Sequence, residues 1–219
     1  MLNVLFSLCL MTAIVAANPP FSRGMPHSSS YAFTEIDEHT HPAVGKLATN
    51  GKAYCTIELI DEDTAVTAAH CVGQPGEEVW FDGIQYQVER IDILEISDLA
   101  VYTLCSQPPI EPLHISLQQA SFGDPVIIVG NGGSIRRQSN PGALYATGCY
   151  NDRPMFIMLY TGHASCYPGD SGGALLRDGK LIGIVNFLRT INGQVVDNGC
   201  SSILYSLAWM EAHGYDPRF

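Results

Sequence analysis

The chain has little charge, and positive charge is the scarcer kind. Only 15% of its 219 residues are charged, and 11 Lys and Arg stand against 22 Asp and Glu, which gives a formal net charge of −11 at pH 7. Nucleic acids and anionic membranes bind proteins through clusters of basic side chains. We therefore expect neither a nucleic-acid partner nor a membrane partner, and solubility is sufficient to account for the excess of acidic residues.

The sequence also lacks an apolar run that could cross a bilayer, since a membrane helix needs about 20 apolar residues. The early apolar segment, Val4 to Val15, is shorter and leads into Ala16-Ala17 and then Asn18-Pro19-Pro20. This pattern is typical of a secretory signal peptide, although no Lys or Arg precedes the segment. We predict a signal peptide over residues 1–17 and an extracellular location for the mature protein.

Metal-binding patterns are missing as well. The sequence contains no Cys-x-x-Cys and no paired Cys-His spacing, so we expect no metal ion and no other cofactor. Cys9 lies in the predicted signal peptide, and the even number of cysteines that follows favours disulfides in an oxidising compartment. The sequence alone does not choose among their pairings. These residues are Cys55, Cys71, Cys105, Cys149, Cys166 and Cys200.

Residues 18–41 have no apolar period and are rich in Pro, Ser and His. This composition predicts a pro-segment or a flexible arm. If the segment is removed on maturation, the secreted chain is a zymogen. A single larger domain over residues 42–219 then follows.

That domain is predicted to be all-β, with two antiparallel barrels of the six-stranded type. Short β-like runs are separated by turn pairs such as Asn50-Gly51 and Asp82-Gly83. Prolines interrupt the pattern near residue 112 and mark the crossing from a first barrel, about 42–112, to a second, about 113–205. Ser206 can begin a short C-terminal helix over about 206–213, which Gly214 would end.

Three separate stretches carry residues suited to acyl transfer. Ser171 lies in a glycine-rich turn, where backbone amides can converge on an oxyanion. His70 can serve as a base, and Asp98 stands at the start of an apolar run. The Gly-x-Ser-x-Gly string around Ser171 also fits α/β-hydrolases, in which Asp197 and His213 would follow the serine. The short strand-like runs on both sides of Ser171 disfavour that alternative.

In this order, the three stretches resemble the motifs of chymotrypsin-like serine proteases, and the resemblance covers roughly residues 42–214. It implies that Ser171 attacks the substrate carbonyl, His70 carries the proton and Asp98 orients His70. It further implies an oxyanion hole formed by the amides of Gly169 and Ser171, in a cleft between the barrels. The motifs are Thr67-Ala68-Ala69-His70-Cys71, Asp98-Leu99-Ala100-Val101 and Pro168-Gly169-Asp170-Ser171-Gly172-Gly173.

The resemblance also implies a function and a set of disulfides. We expect a monomeric, secreted serine endopeptidase that acts on proteins or peptides and that protein inhibitors can bind. A non-catalytic homologue that serves as a binding module is the alternative. The implied disulfides are Cys55–Cys71 beside the histidine and Cys166–Cys200 beside the substrate pocket, which leaves Cys105 with Cys149.

Two features depart from the family pattern. No Ile-Val-Gly-Gly string precedes Pro42, so Asp170 needs a partner other than a new N-terminus, and Arg136 or Arg137 is the candidate. The substrate pocket also differs, because its floor falls on Ala164 or Ser165 and neither is acidic. We therefore expect cleavage after small or apolar P1 residues, in a pocket that is also lined by Asn186, Phe187 and Leu188.

Overall fold

The computed structural model describes residues 33–121, 123–139, 141–150, 153–159, 166–191 and 194–219. The predicted signal peptide and residues 18–32 of the predicted arm lie outside this part of the chain. Among the described residues, no helix has the length and apolar character needed to span a membrane.

The described residues form fifteen strands and one short α-helix. In chain order, these are β1 (Thr34–Glu35), β2 (Val44–Thr49), β3 (Lys52–Leu59), β4 (Thr64–Ala68), β5 (Glu77–Phe81), β6 (Ile84–Tyr86), β7 (Val88–Leu94), β8 (Leu99–Leu104), β9 (Pro125–Gly130), β10 (Arg137–Gln138), β11 (Gly142–Tyr150), β12 (Arg153–Leu159), β13 (Ala174–Arg177), β14 (Lys180–Ile191), β15 (Gln194–Ser202) and α1 (Leu207–Ala212).

The strands form two curled antiparallel sheets, as the sequence predicts. The first has the order β6-β5-β2-β3-β4-β8-β7. The second has the order β1-β10-β9-β11-β12-β15-β14-β13, and an additional pairing of β9 with β13 closes six of its strands into a ring. The all-β fold with two barrel-like halves is therefore confirmed.

The predicted turn residues form tight hairpins in the first sheet. Asn50-Gly51 joins β2 to β3, and Asp82-Gly83 joins β5 to β6, with positive φ at all four residues. A two-residue turn of this kind fits the twist of the flanking strands, and Asn-Gly and Asp-Gly pairs favour it.

A continuous apolar core passes from one sheet to the other. In the first sheet it contains the fully buried side chains of Leu47, Ile57, Phe81 and Tyr102. Buried residues of β9, β13 and β14 belong to the same cluster, and so does Met210 of α1. The short C-terminal helix is thus confirmed, and it begins at Leu207 after a 3-10 turn.

Residues 33–41, hereafter the N-terminal segment, belong to the predicted arm but pack on the domain. Strand β1 pairs with β10, so that Glu35 lies opposite Arg137. The amide of Ile36 donates to the carbonyl oxygen of Arg136 at 3.1 Å, and Arg136 Nη1 donates to the carbonyl oxygen of His41 at 3.0 Å. The main chain of the segment is therefore held at both of its ends.

Candidate active site

His70 lies in a 3-10 turn directly after β4 and is fixed from both sides. The next residue, Cys71, forms a disulfide with Cys55 of β3, which confirms this predicted pairing. The preceding residue, Ala69, donates its amide to the carbonyl oxygen of Asp98 at 2.9 Å. The imidazole is therefore presented from a turn with little freedom to shift.

Asp98 reaches His70 because β4 and β8 are neighbouring antiparallel strands. Ala68, the last residue of β4, lies opposite Leu99, the first residue of β8, so that the residues beyond these two positions meet at one edge of the sheet. Asp98 Oδ2 lies 2.9 Å from His70 Nδ1, and Asp98 Oδ1 accepts the His70 amide at 3.0 Å. Two residues 28 positions apart in sequence thus form one hydrogen-bonded pair.

Asn186, which the sequence predicts to bind substrate, points its side chain at Asp98. Its side chain is buried, and its Nδ2 donates to Asp98 Oδ2 at 2.8 Å and to the Asp98 carbonyl oxygen at 3.1 Å. Its Oδ1 accepts the amide of Ser201 on the neighbouring strand at 2.6 Å. The Asn186 side chain therefore orients the carboxylate, and a contact of this residue with substrate stays a prediction.

The surroundings of Asp98 favour its charged form. Burial raises the pKa of this carboxyl, but hydrogen bonds from His70 and Asn186 lower it more, so that the net pKa lies below its ordinary value. The carboxylate can thus hold the His70 Nδ1–H and stabilise an imidazolium that forms during proton transfer.

The turn of Ser171 precedes β13 of the second sheet and packs against β3 and β4 of the first. The amide of Gly172 donates to the carbonyl oxygen of Val185 at 2.7 Å, directly before Asn186 in β14. Gly172 has a φ of +80°, and a Cβ there would lie 2.1 Å from Thr56 O and 2.3 Å from Thr67 Oγ1. Only glycine fits this approach, because any side chain would clash with β3 and β4.

Thr56 of β3 connects the Ser171 turn to the first sheet. Its amide donates to the Ser171 carbonyl oxygen at 2.8 Å, and its Oγ1 donates to the Gly169 carbonyl oxygen, also at 2.8 Å. The same hydroxyl accepts the Asn131 amide at 2.9 Å, while the Thr56 carbonyl oxygen accepts Thr67 Oγ1 at 2.6 Å. Buried hydrogen bonds thus place the serine turn relative to the histidine turn.

The side chain of Asp170 is fully buried. Its Oδ1 accepts the Gly132 amide at 2.6 Å, and its Oδ2 accepts the Tyr167 amide at 2.8 Å. Among the described residues, the amides of Gly169 and Ser171 donate to no protein acceptor. The role of these two amides in an oxyanion hole stays a prediction.

Arg137 supplies the charged partner of Asp170, as one of the two alternatives from the sequence predicts. Its Nη2 donates to Asp170 Oδ2, and its guanidinium lies between the rings of Phe33 and Tyr167, 4.5 Å from each centroid. Arg136 is buried elsewhere and donates through Nε to an amide oxygen at 3.0 Å. Burial raises the pKa of Asp170 above its ordinary value, although the hydrogen bonds to Tyr167 N, Arg137 and Gly132 N oppose this rise.

Comparison with known protein families agrees with this geometry. Residues 55–184, more than half of the chain, match the family model described as a trypsin-like peptidase domain. The chain belongs to the trypsin-like peptidase family.

Solved structures that resemble this trypsin-like peptidase are distant in sequence and therefore show the fold alone. The mouse brain serine protease neuropsin is 18% identical with a TM-score of 0.71, and the match covers 83% of this chain and 98% of that one. Human heparin binding protein is 15% identical with a TM-score of 0.72, and the match covers 84% of this chain and 97% of that one. Rv3671c from M. tuberculosis, a serine-to-alanine mutant in its inactive form, is 20% identical with a TM-score of 0.64. That match covers 80% of this chain and 89% of that one. No curated protein matches the sequence.

The predicted P1 pocket of this trypsin-like peptidase lies largely outside the described residues. Ala164 and Ser165 are not described, and neither is the side chain of Leu188. The ring of Phe187 packs across β14 and β15 onto Gly199, where a Cβ would lie 2.2 Å from the ring. The predicted floor of the pocket therefore stays a prediction.

Among the described residues of this trypsin-like peptidase, the predicted Cys166–Cys200 disulfide is not formed. Cys166 and Cys200 are free thiols in the smaller apolar cluster of the second sheet, and burial raises the pKa of both above the ordinary value. Cys105 is free and exposed, and the side chain of Cys149 lies outside the described residues.

Replacement of Asn186 by Ala should lower kcat by about tenfold or more, because a hydrogen bond to a charged group typically contributes about 1.5–3 kcal/mol. KM should change little, since the Asn186 side chain acts on Asp98. Steady-state kinetics would measure the two constants separately, and a melting curve of the same sample would detect unfolding. An unchanged kcat in a folded variant would contradict the positioning role.

Proposed function

We propose that the chain is a secreted serine endopeptidase that hydrolyses peptide bonds through an acyl-enzyme on Ser171. The observation that supports this proposal is the contact of Asp98 with His70, together with the hydrogen bonds by which Thr56 of the same sheet holds the serine turn. The Cys55–Cys71 disulfide is consistent with secretion, because such bonds persist in oxidising compartments.

In the proposed reaction, Ser171 Oγ attacks the carbonyl carbon of the scissile peptide while His70 Nε2 takes its proton. The carbonyl oxygen becomes an oxyanion that the Gly169 and Ser171 amides bind. The C–N bond then breaks as His70 returns the proton to the leaving amine. A water molecule repeats the sequence on the ester, so that it releases the acid and restores the Ser171 hydroxyl.

The alternative, a non-catalytic binding module, had its best support in the missing N-terminal partner of Asp170. Arg137 occupies that position, so the observation no longer favours a binding module. A fluorophosphonate probe separates the two functions, since it reacts only with an activated serine. We expect labelling of the wild-type protein and none of Ser171→Ala. A wild-type protein that stays unlabelled, with an intact fold, would overturn the proposed peptidase activity.

We further propose small or apolar P1 residues such as Ala, Val or Leu, with little cleavage after Arg or Lys. Burial of an unpaired cationic head costs several kcal/mol, and neither Ala164 nor Ser165 could pair with it. One methylene group more or less changes discrimination by only about 1–3 kcal/mol, so the choice among apolar residues should be loose. Cleavage of a peptide library measures the profile. Dominant cleavage after Arg or Lys would contradict this specificity and point to an acidic residue such as Asp197.

A further inference from the structure

Arg137 is held by groups from two different parts of the chain. Phe33 belongs to the N-terminal segment, and Tyr167 belongs to the loop that contains Gly169 and Asp170. The guanidinium carbon lies over both rings, 4.5 Å from each centroid. A cation between two aromatic faces is attracted to both, and the attraction increases where water is excluded.

The N-terminal segment also pairs with the main chain around Arg137. Thr34 pairs with Gln138 and Glu35 with Arg137 in the β1–β10 ladder. His41 Nε2 lies 2.8 Å from Gln138 Oε1 at the other end of the segment. Backbone pairing thus fixes the direction in which the Arg137 side chain leaves the strand, and Phe33 limits its rotamers.

This restriction matters because Asp170 is fully buried and Arg137 is its charged partner among the described residues. A long side chain loses rotamer entropy when it is ordered, and prior ordering removes much of that cost. If Arg137 were free to extend into water, the buried carboxylate would be left without its cation. Asp170 would then favour an outward position, and residues 167–172 would lose their arrangement.

We propose that Phe33, through its contact with Arg137, is a positioning residue for the oxyanion loop, and that the N-terminal segment activates the site. This inference rests on the proposed peptidase function and deepens it. It also reverses the expectation of a removable pro-segment for residues 33–41. Cleavage after His41 would remove Phe33 and β1 and would inactivate the enzyme, whereas cleavage before Phe33 would leave every contact described here in place.

The first test compares Phe33→Ala with the matched control Glu35→Ala, whose side chain is exposed on the same strand. We expect Phe33→Ala to lower kcat/KM by about tenfold and Glu35→Ala to change it less than about twofold. Hydrogen exchange, followed by mass spectrometry on peptides that cover residues 167–172, should become faster in Phe33→Ala alone. Unchanged activity and unchanged exchange in Phe33→Ala would overturn the proposal.

A double-mutant cycle tests whether Phe33 acts through Arg137. In a protein that already carries Arg137→Lys, Phe33→Ala should lower kcat/KM by less than about twofold, because the stacked guanidinium that Phe33 holds is already lost. A full tenfold loss of kcat/KM in the Arg137→Lys protein would show that Phe33 does not act through Arg137 and would overturn the proposal. The exchange measurement needs no catalytic turnover. If the wild-type protein fails to react with the fluorophosphonate probe, the peptidase function fails while the effect of Phe33 on the loop is still measured.

The mature N-terminus provides a second, independent test. N-terminal sequencing of active protein from the culture medium should give a first residue at or before Phe33. A first residue after His41 in fully active protein would overturn the activating role of the segment.

Discussion

Ser171→Ala and His70→Ala should each remove nearly all peptidase activity, with a loss in kcat of about 10⁶-fold. The effects are this large because the nucleophile and its base act as a unit, so that loss of either costs about as much as loss of both. Asp98→Asn should keep the fold and lose about 10⁴-fold in kcat, because an amide favours the wrong imidazole tautomer. Hydrolysis of a peptide substrate, followed by the rate of product formation, measures all three variants.

Melting curves provide the control for these variants. Ser171 is only partly buried and His70 is exposed, so neither truncation creates a large cavity in the core. Each variant should melt close to the wild-type temperature. Wild-type cleavage by pure Ser171→Ala would refute the mechanism.

Arg137→Leu should lower kcat/KM by about 100-fold or more, through loss of the loop that carries Gly169 and Asp170. Removal of one partner of a buried ion pair typically costs about 3–5 kcal/mol, because the other charge is left uncompensated. Asp170 can relieve part of this cost by turning toward water. The melting temperature should therefore fall by less than the full penalty implies, while activity falls strongly.

The double variant Arg137→Leu with Asp170→Asn is the matched control. The neutral amide removes the unpaired charge, so the melting temperature should recover relative to Arg137→Leu alone. Activity should not recover, because the amide cannot restore the ion pair that orders the loop. Full activity in Arg137→Leu would show that the Gly132 and Tyr167 amides are sufficient to hold Asp170.

The sequence predicted the parts of the site that depend on local motifs. The family motifs identify His70, Asp98 and Ser171, and Asn-Gly and Asp-Gly pairs identify hairpins, because short stretches of chain determine these features. The structure joins His70 to Asp98 through the register of β4 and β8. The roles of all three residues in catalysis stay proposals until the variants are measured.

Features that depend on register between distant strands were beyond prediction. Asn186 faces Asp98 only because of where β14 lies relative to the end of β4, and no local pattern shows this. Arg136 and Arg137 are adjacent, so their side chains point in opposite directions from the chain. Only the pairing of β10 with β1 and β9 decides which one meets Asp170. The packing of Phe33 was likewise hidden, because the composition of residues 18–41 shows no strand pattern.

Thr56 has a consequence for how the molecule responds to mechanical and thermal stress. Its hydrogen bonds to Ser171, Gly169 and Asn131 cross from the first sheet to the second, directly behind the proposed oxyanion hole. A force that opens the gap between the sheets acts on these bonds, while the ladders inside each sheet stay intact. The rate of catalytic turnover therefore reports loss of contact between the two sheets more sensitively than a spectroscopic measure of strand content does.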